Sequence, residues 1–329
     1  MKKALILTAK IERWPLAKAF TISRGSKMEA CVVTAEVSDG IHTGRGECAP
    51  YARYKETPES VLTAIEAIRP VLARGLDRQA LQTILPAGAA RNALDCALWD
   101  IEAKQKNIAA HRIAGLPALQ PLTTALTISL DTPERMAEAA AKAASWPLLK
   151  IKLGHAHVEA SIAAIRQAAP HARLIVDANE GWTPDNLWQN FVACAEAGVT
   201  MIEQPLPEAE DAALAAIPHP VPVCADESVK DNSSLAGLTG KYECINIKLD
   251  KAGGLTEALR MTGTAKNLGL TVMAGCMVST SLGIAPAMVF AQEASVVDLD
   301  GPLWLAKDRV PGLRYDDHCV YPAEKALWG

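Results

Sequence analysis

Lys150 and Lys152 open a paced series of charged residues. Asp177, Glu203, Asp226 and Lys248 follow, and then Asp298 and Asp300. The steps from the lysine pair to Lys248 are about 22 to 27 residues, the length of one strand–helix unit. Each station lies in or just after a short apolar run, such as Leu174-Ile175-Val176-Asp177 or Met201-Ile202-Glu203. Side chains delivered by successive units to one end of a barrel converge on one point. Three carboxylates at neighbouring strand ends repel one another unless a cation joins them. All-oxygen ligation suits a hard ion, Mg²⁺ or Mn²⁺. Lys150 and Lys152 flank Ile151, so on a strand both ammonium groups face the same side. Burying two like charges is expected to lower the pKa of at least one, and a partly neutral lysine is a general base. Lys248 comes four strands later, across the ring from Lys152. A base on each side of one carbon can take a proton from one face and return one on the other.

Regular elements must hold these groups. From about Thr123 the chain alternates strand and helix patterns. Strands are expected at Thr124–Leu130, Leu148–Leu153, Arg173–Asp177, Thr200–Glu203, Val221–Ala225, Cys244–Lys248, Leu270–Gly275 and Ser295–Asp298. Helices are expected at Thr132–Ala144, Val158–Ala169, Pro184–Ala197, Leu255–Leu268 and Leu282–Gln292, with shorter segments after Glu203 and Asp226. Eight strands with intervening helices predict a TIM-like (β/α) barrel. The first 115 residues differ. Strand-like runs at Ala4–Ala9 and Ala30–Val37 and a turn at Asp39-Gly40 precede helical patterns at Pro58–Ala73 and Ala89–Lys104. The predicted organisation is an α+β capping domain over residues 1–118 and a barrel over 119–301. The segment from about 302 to 329 is expected to pack back on the cap.

Composition excludes other classes. Half of the 329 residues are apolar and the formal net charge is -4, with a mean hydropathy of +0.09. No basic tract points to nucleic acid, and no apolar stretch reaches the ~18 residues of a membrane span. The opening run, Ala4-Leu5-Ile6-Leu7, reads as a strand rather than a signal peptide. The eight cysteines contain no C-x-x-C pair, and Cys96, Cys224 and Cys244 sit in apolar runs as small core residues. A reducing, cytoplasmic setting fits. His155 and His157 read as loop residues, Gly253-Gly254 as a tight loop, and Trp182 and Trp188 as packing.

Lysine bases around a magnesium ion are the arrangement of enolase-type sites. Lys150-Ile151-Lys152, the Asp177/Glu203/Asp226 set and Asn246-Ile247-Lys248-Leu249-Asp250-Lys251-Ala252-Gly253-Gly254 resemble the enolase superfamily and, within it, the muconate-lactonizing subgroup. So do Gly46-Glu47-Cys48-Ala49-Pro50 and the Arg91–Asp100 stretch, and no histidine base of the dehydratase kind stands late in the barrel. The resemblance implies a (β/α)₇β barrel under a capping domain. It implies one Mg²⁺ on Asp177, Glu203 and Asp226, Lys152 and Lys248 as the acid/base pair, and Lys150 on the substrate carboxylate. Asp298-Leu299-Asp300 is similar to the pattern with which dipeptide epimerases hold a free α-ammonium; an acidic barrel rim is the other reading. With Asp177-Ala178-Asn179-Glu180 and the Ser23-Arg24-Gly25-Ser26 loop, it looks like the L-Ala-D/L-Glu epimerases. That implies a small dipeptide substrate such as L-Ala-L-Glu or L-Ala-D-Glu, drawn from murein peptides. Arg24 would take the γ-carboxylate. Thr127 and the backbone of Cys276 would touch substrate, although Thr127 also suits a plain strand filler. Another subgroup reaction, on an N-acylated amino acid, an o-succinylbenzoate precursor or a cycloisomerase substrate, stays open, as does a non-catalytic barrel.

Overall fold

The computed structural model describes residues 4–316 and 318–329. The chain opens with three antiparallel strands, β1 (Ile6–Ile22), β2 (Gly25–Ser38) and β3 (Thr43–Cys48), in the order β1-β2-β3. After a short strand β4 (Leu122–Thr123) come eight parallel strands. They are β5 (Leu126–Ile128), β6 (Leu148–Lys152), β7 (Arg173–Asp177), β8 (Val199–Glu203), β9 (Val223–Ala225), β10 (Cys244–Ile247), β11 (Thr271–Ala274) and β12 (Val296–Val297). They lie in sequence order, and the Ala125 amide donates to the Val297 carbonyl to join the last to the first. The expected barrel under an α+β cap is therefore the fold. A last strand, β13 (Cys319–Val320), pairs with β4.

Alternation along each barrel strand explains how the sequence builds it. On β6, Leu149 and Ile151 face the outer helices and join the large apolar core, whereas Leu148, Lys150 and Lys152 face inward. Inside the barrel, Ala125, just ahead of β5, and Leu148, Ile175, Met201, Cys224, Cys244, Met273 and Val296, one from each of the other seven strands, form one layer. This apolar floor lies beneath the charged groups at the strand ends and excludes water from below. Every charge above it therefore needs a partner.

Several expected elements differ in extent. The first strand runs 17 residues rather than six, because its pairing with β2 continues past a register shift between Pro15 and Phe20. Pro70 splits the first helical segment into Pro58–Ala67 and Arg69–Leu72. Pro286 breaks the last into Ser281–Ile284 and Ala287–Phe290. After β8 and β9 the helices shrink to 3₁₀ turns at Asp211–Ala216 and Asn232–Leu238.

Two contact sets lock the cap onto the barrel. The helix Ala89–Lys106 docks on the Gly253-Gly254 loop: Arg91 donates to the Ala252 and Gly253 carbonyls, and the Thr256 amide donates to Asp95. A Cβ at Gly253 would stand 2.4 Å from Arg91 Nε, so the expected tight loop makes room for a close approach of the cap helix. Opposite, the buried Glu47 of β3 accepts the Thr280 amide at 2.8 Å and Arg309 Nη2 at 2.6 Å, and Arg309 also reaches Glu12. Glu47→Ala removes the buried acid of the clamp and leaves Arg309 only Glu12 as an ionic partner. It is expected to cost about 3–5 kcal/mol, as for other broken buried pairs. Urea unfolding of the whole protein measures it; a loss under about 1 kcal/mol, the value of a surface pair, would show that the clamp is not structural. The chain end returns to the cap helix, where Trp328 Nε1 donates to the Cys96 carbonyl and the Gly329 amide to Asp100.

Candidate active site

Asp177 ends β7, Glu203 ends β8 and Asp226 follows β9, and none exposes more than 2 % of its surface. Strand register sets Lys152 beside Asp177 and Asp177 beside Glu203. Lys150 Nζ lies 2.6 Å from Glu203 Oε2, 2.8 Å from Asp298 Oδ2 and 3.2 Å from Asp177 Oδ2. Lys152 Nζ is 2.6 Å from Asp177 Oδ2. On the far side of the ring Lys248 Nζ binds Asp226 Oδ2 at 2.7 Å. β6 and β10 are four places apart among eight strands, so the two lysines face each other across the mouth.

One cavity at this end is lined by Arg24, Thr127, Lys150, Lys152, Asp226, Lys248, Cys276, Asp298 and Asp300, so nine of the eleven expected site residues meet there. Asp177 and Glu203 lie behind Lys150, fully buried. β12 stops at Val297, and both Asp298 and Asp300 then reach the cavity. Asp300 Oδ2 accepts the Thr127 amide at 2.8 Å and Trp304 Nε1 at 3.3 Å. Asp298 Oδ1 is buried with no hydrogen-bond partner. Arg24 sits at the tip of the β1–β2 hairpin, where Gly25 adopts φ +137°. Its guanidinium is held by Glu227 Oε1 at 2.7 Å, the Asn179 carbonyl at 3.0 Å, and Glu180 and the Tyr51 hydroxyl at 3.2 Å. Burial pushes the Cys276 thiol well above its ordinary range, which leaves its sulfur protonated and without a nucleophilic part.

The expected depression of a lysine pKa does not occur at Lys150. Burial opposes its charge, but Asp298, Glu203 and Asp177 outweigh that and hold the ammonium well above the usual range. Lys248 is likewise raised, burial being overcome chiefly by Asp226. Counting like charges misled because carboxylates, not lysines, are the nearest neighbours. The acids split in turn. Asp177 is held at about 2: burial works against its charge, but Lys152 and Lys150 overcome it. Glu203 is pushed up to about 7 by burial and by the charge on Asp177. Burial and the nearby Asp298 raise Asp300 to about 6.

Four participants escaped the sequence reading. Lys251 reaches Asp226 Oδ1 at 2.5 Å from the short helix Leu249–Ala252, which Lys248 precedes in extended conformation. Asn246 Nδ2 donates to Glu203 Oε1 at 2.7 Å. Glu227 anchors Arg24. Lys27, two strand positions into β2, lines the cavity from the cap side.

The donor set fits a hard divalent cation. Its three acids are buried on successive strands, and Glu203 Oε2, although close to Lys150, makes no hydrogen bond of proper geometry. The three do not converge on one point here. Asp177 and Glu203 share Lys150, and Asp226 turns to Lys248 and Lys251. Charge decides the fit. With Glu227 taken up by Arg24, Asp177, Glu203, Asp226, Asp298 and Asp300 are buried against four buried lysines, 150, 152, 248 and 251. A cation held among the acids suits that excess of negative charge.

Residues 5–115 match the mandelate racemase/muconate lactonizing enzyme N-terminal domain, and residues 134–325 match the enolase C-terminal domain-like family. The chain belongs to the enolase superfamily. It is 47% identical to an L-Ala-D/L-Glu epimerase of Escherichia coli (strain K12), over 92% of this chain and 95% of that one. It is 42% identical to an N-acetyl-D-glutamate racemase of a Pseudoalteromonas species, over 91% and 95%. Among solved structures it is similar to an enolase family member from Agrobacterium tumefaciens with homology to dipeptide epimerases, solved with sodium and L-Ala-L-Glu. That likeness has a TM-score of 0.97 at 54% identity and covers 99% of this chain and all of the other. This member of the superfamily thus keeps the family's two-part fold, and its candidate site lies where cap and barrel meet.

Proposed function

We propose that this enzyme is a Mg²⁺-dependent dipeptide epimerase acting on L-Ala-D/L-Glu. The observation that carries the proposal is the pair of buried lysines, Lys152 and Lys248, on strands half a ring apart. The α-carbon of the C-terminal residue lies between them. A neutral lysine on one side removes the α-proton, and the ammonium on the other returns a proton to the opposite face, which inverts the centre. The lysines trade protonation states in each turnover and reset by exchange with water. Lys150 takes the substrate α-carboxylate. Asp177, Glu203 and Asp226 would hold Mg²⁺ or Mn²⁺, whose positive charge would ease the build-up of negative charge on the substrate. Asp298 and Asp300 receive the free α-ammonium, for which Asp298 Oδ1 has an open acceptor. Thr127 and the Cys276 backbone line the same space, and Arg24 closes its cap side.

Three supports are independent of the lysines. The relatives that are similar over the whole chain include an L-Ala-D/L-Glu epimerase. The acid pair selects against N-acylated substrates, which carry no cation. The free cysteines suit a reducing cytoplasm, where dipeptides released from murein are the natural supply. We divide the chain as a cap over 1–118 and a barrel over 119–301, with 302–329 returning to the cap.

Incubating L-Ala-L-Glu with protein and Mg²⁺ and resolving the diastereomers by chromatography tests the activity. L-Ala-D-Glu should accumulate to a near-even mixture. Conversion of N-acetylglutamate but not of the dipeptide would replace this reading with racemisation of acylated amino acids. The metal has its own readout. A ligand at 100 times its Kd stabilises by about 2.7 kcal/mol, so millimolar Mg²⁺ should raise the Tm of chelator-treated protein by several degrees. The Glu203→Gln variant should lose that rise, and a wild-type Tm indifferent to both Mg²⁺ and Mn²⁺ would contradict the metal assignment.

A further inference from the structure

The cavity is lined by five cations, Arg24, Lys27, Lys150, Lys152 and Lys248. Four stand within 3.2 Å of a carboxylate. Among the described residues Lys27 has no acid partner. Local structure puts it there. Lys27 on β2 is the cross-strand partner of Phe20 on β1, so both side chains leave the same face of the hairpin. The hairpin is fixed to the barrel: the Thr21 amide donates to Ser129 Oγ at 2.7 Å, and Ser23 Oγ donates to the Asn179 carbonyl at 2.8 Å. Lys27 Nζ lies 5.7 Å from the centre of the Phe20 ring, and Lys152 Nζ lies 5.9 Å from the same centre. The free cation thus flanks the same Phe20 ring as Lys152 and lines the same cavity from the cap side.

Arg24 is already paired with Glu227 and Glu180, whereas Lys27 faces the cavity with no carboxylate beside it among the described residues. We propose that Lys27 is the specificity residue that binds the side-chain carboxylate of the substrate's C-terminal residue. The assignment rests on the epimerase reading for its substrate, and on the unpaired ammonium for its chemistry. Burial, with the like charge of Lys152, holds Lys27 below the ordinary lysine range; an incoming carboxylate would relieve that.

The test compares wild type, Lys27→Met, Lys27→Arg and Arg24→Met by α-proton exchange in D₂O with Mg²⁺. The substrates are L-Ala-L-Glu, L-Ala-L-Gln, N-acetyl-L-Glu and N-acetyl-L-Gln. Lys27→Met should lose about tenfold to a hundredfold in kcat/KM on the Glu compounds, mostly through KM, the scale of one charge-assisted hydrogen bond. Its Gln rates should stay within about twofold of wild type, the range in which no interaction has been lost, and Lys27→Arg should recover most of the Glu preference. Equal losses on Glu and Gln, or a preference that collapses only in Arg24→Met, would overturn the assignment. Wild-type exchange of the acetylated pair alone would sink the dipeptide reading and leave the Lys27 comparison intact. Exchange of none of the four would overturn both.

Discussion

Lys152→Ala and Lys248→Ala are each expected to lower epimerisation by about a thousandfold or more, because general acid–base catalysis supplies up to about 10⁴ and inversion needs both faces. Neither variant should unfold the site. Asp177 keeps Lys150 when Lys152 is lost, and Asp226 keeps Lys251 when Lys248 is lost. The informative residue of activity is one-sided. Lys248→Ala retains the base on the Lys152 face and should still exchange the α-proton of one epimer with solvent; Lys152→Ala should do so for the other. The two-base assignment thus predicts opposite stereochemical preferences in the two variants. Exchange rates of each epimer, followed separately, check it. Retention of full epimerase activity in either variant would remove that lysine from the chemistry.

Asp298→Asn should separate substrates by whether they carry a free ammonium. The change keeps size and shape and removes a charge. Lys150 loses one of three carboxylate contacts but keeps Glu203 and Asp177. Against L-Ala-L-Glu the expected loss in kcat/KM is about 10² or more, as for breaking a buried charge pair. Against N-acetylglutamate it should stay within about tenfold, the effect of one neutral hydrogen bond. Parallel losses would mean that Asp298 only orients Lys150. That alternative is concrete, since the 2.8 Å contact between them exists.

Much of this architecture was legible because it obeys local rules. A strand in a closed barrel must alternate, so the sequence alone sets Lys150 and Lys152 on one inward face. The regular spacing then delivered Asp177, Glu203, Asp226 and Lys248 to one end. Illegible features depended on contacts far apart in the chain. Glu47 and Arg309 stand at opposite ends of the sequence, and nothing in either neighbourhood announces the clamp. The long β1–β2 hairpin mixes charges with apolar residues and blurs its period, so its tip yielded Arg24 but hid Lys27. The lysine pKa was misjudged for the same reason: adjacent like charges are visible in sequence, but the carboxylates that outweigh them arrive from other strands. Lys251 lies on the short helix that follows Lys248, and its approach to Asp226 depends on that local turn rather than on any strand spacing.

Proton NMR of L-Ala-L-Glu with the protein and Mg²⁺ in D₂O addresses the central claim most directly. The two-lysine account predicts loss of the glutamate α-proton signal as deuterium enters, with growth of L-Ala-D-Glu resonances alongside it, in wild type. Neither Lys152→Ala nor Lys248→Ala should form L-Ala-D-Glu, and only the variant that keeps the lysine facing the α-proton of the L-Glu residue should still exchange it. Unchanged spectra for the dipeptide, in protein shown by its Mg²⁺-dependent Tm to be folded and loaded, would contradict it.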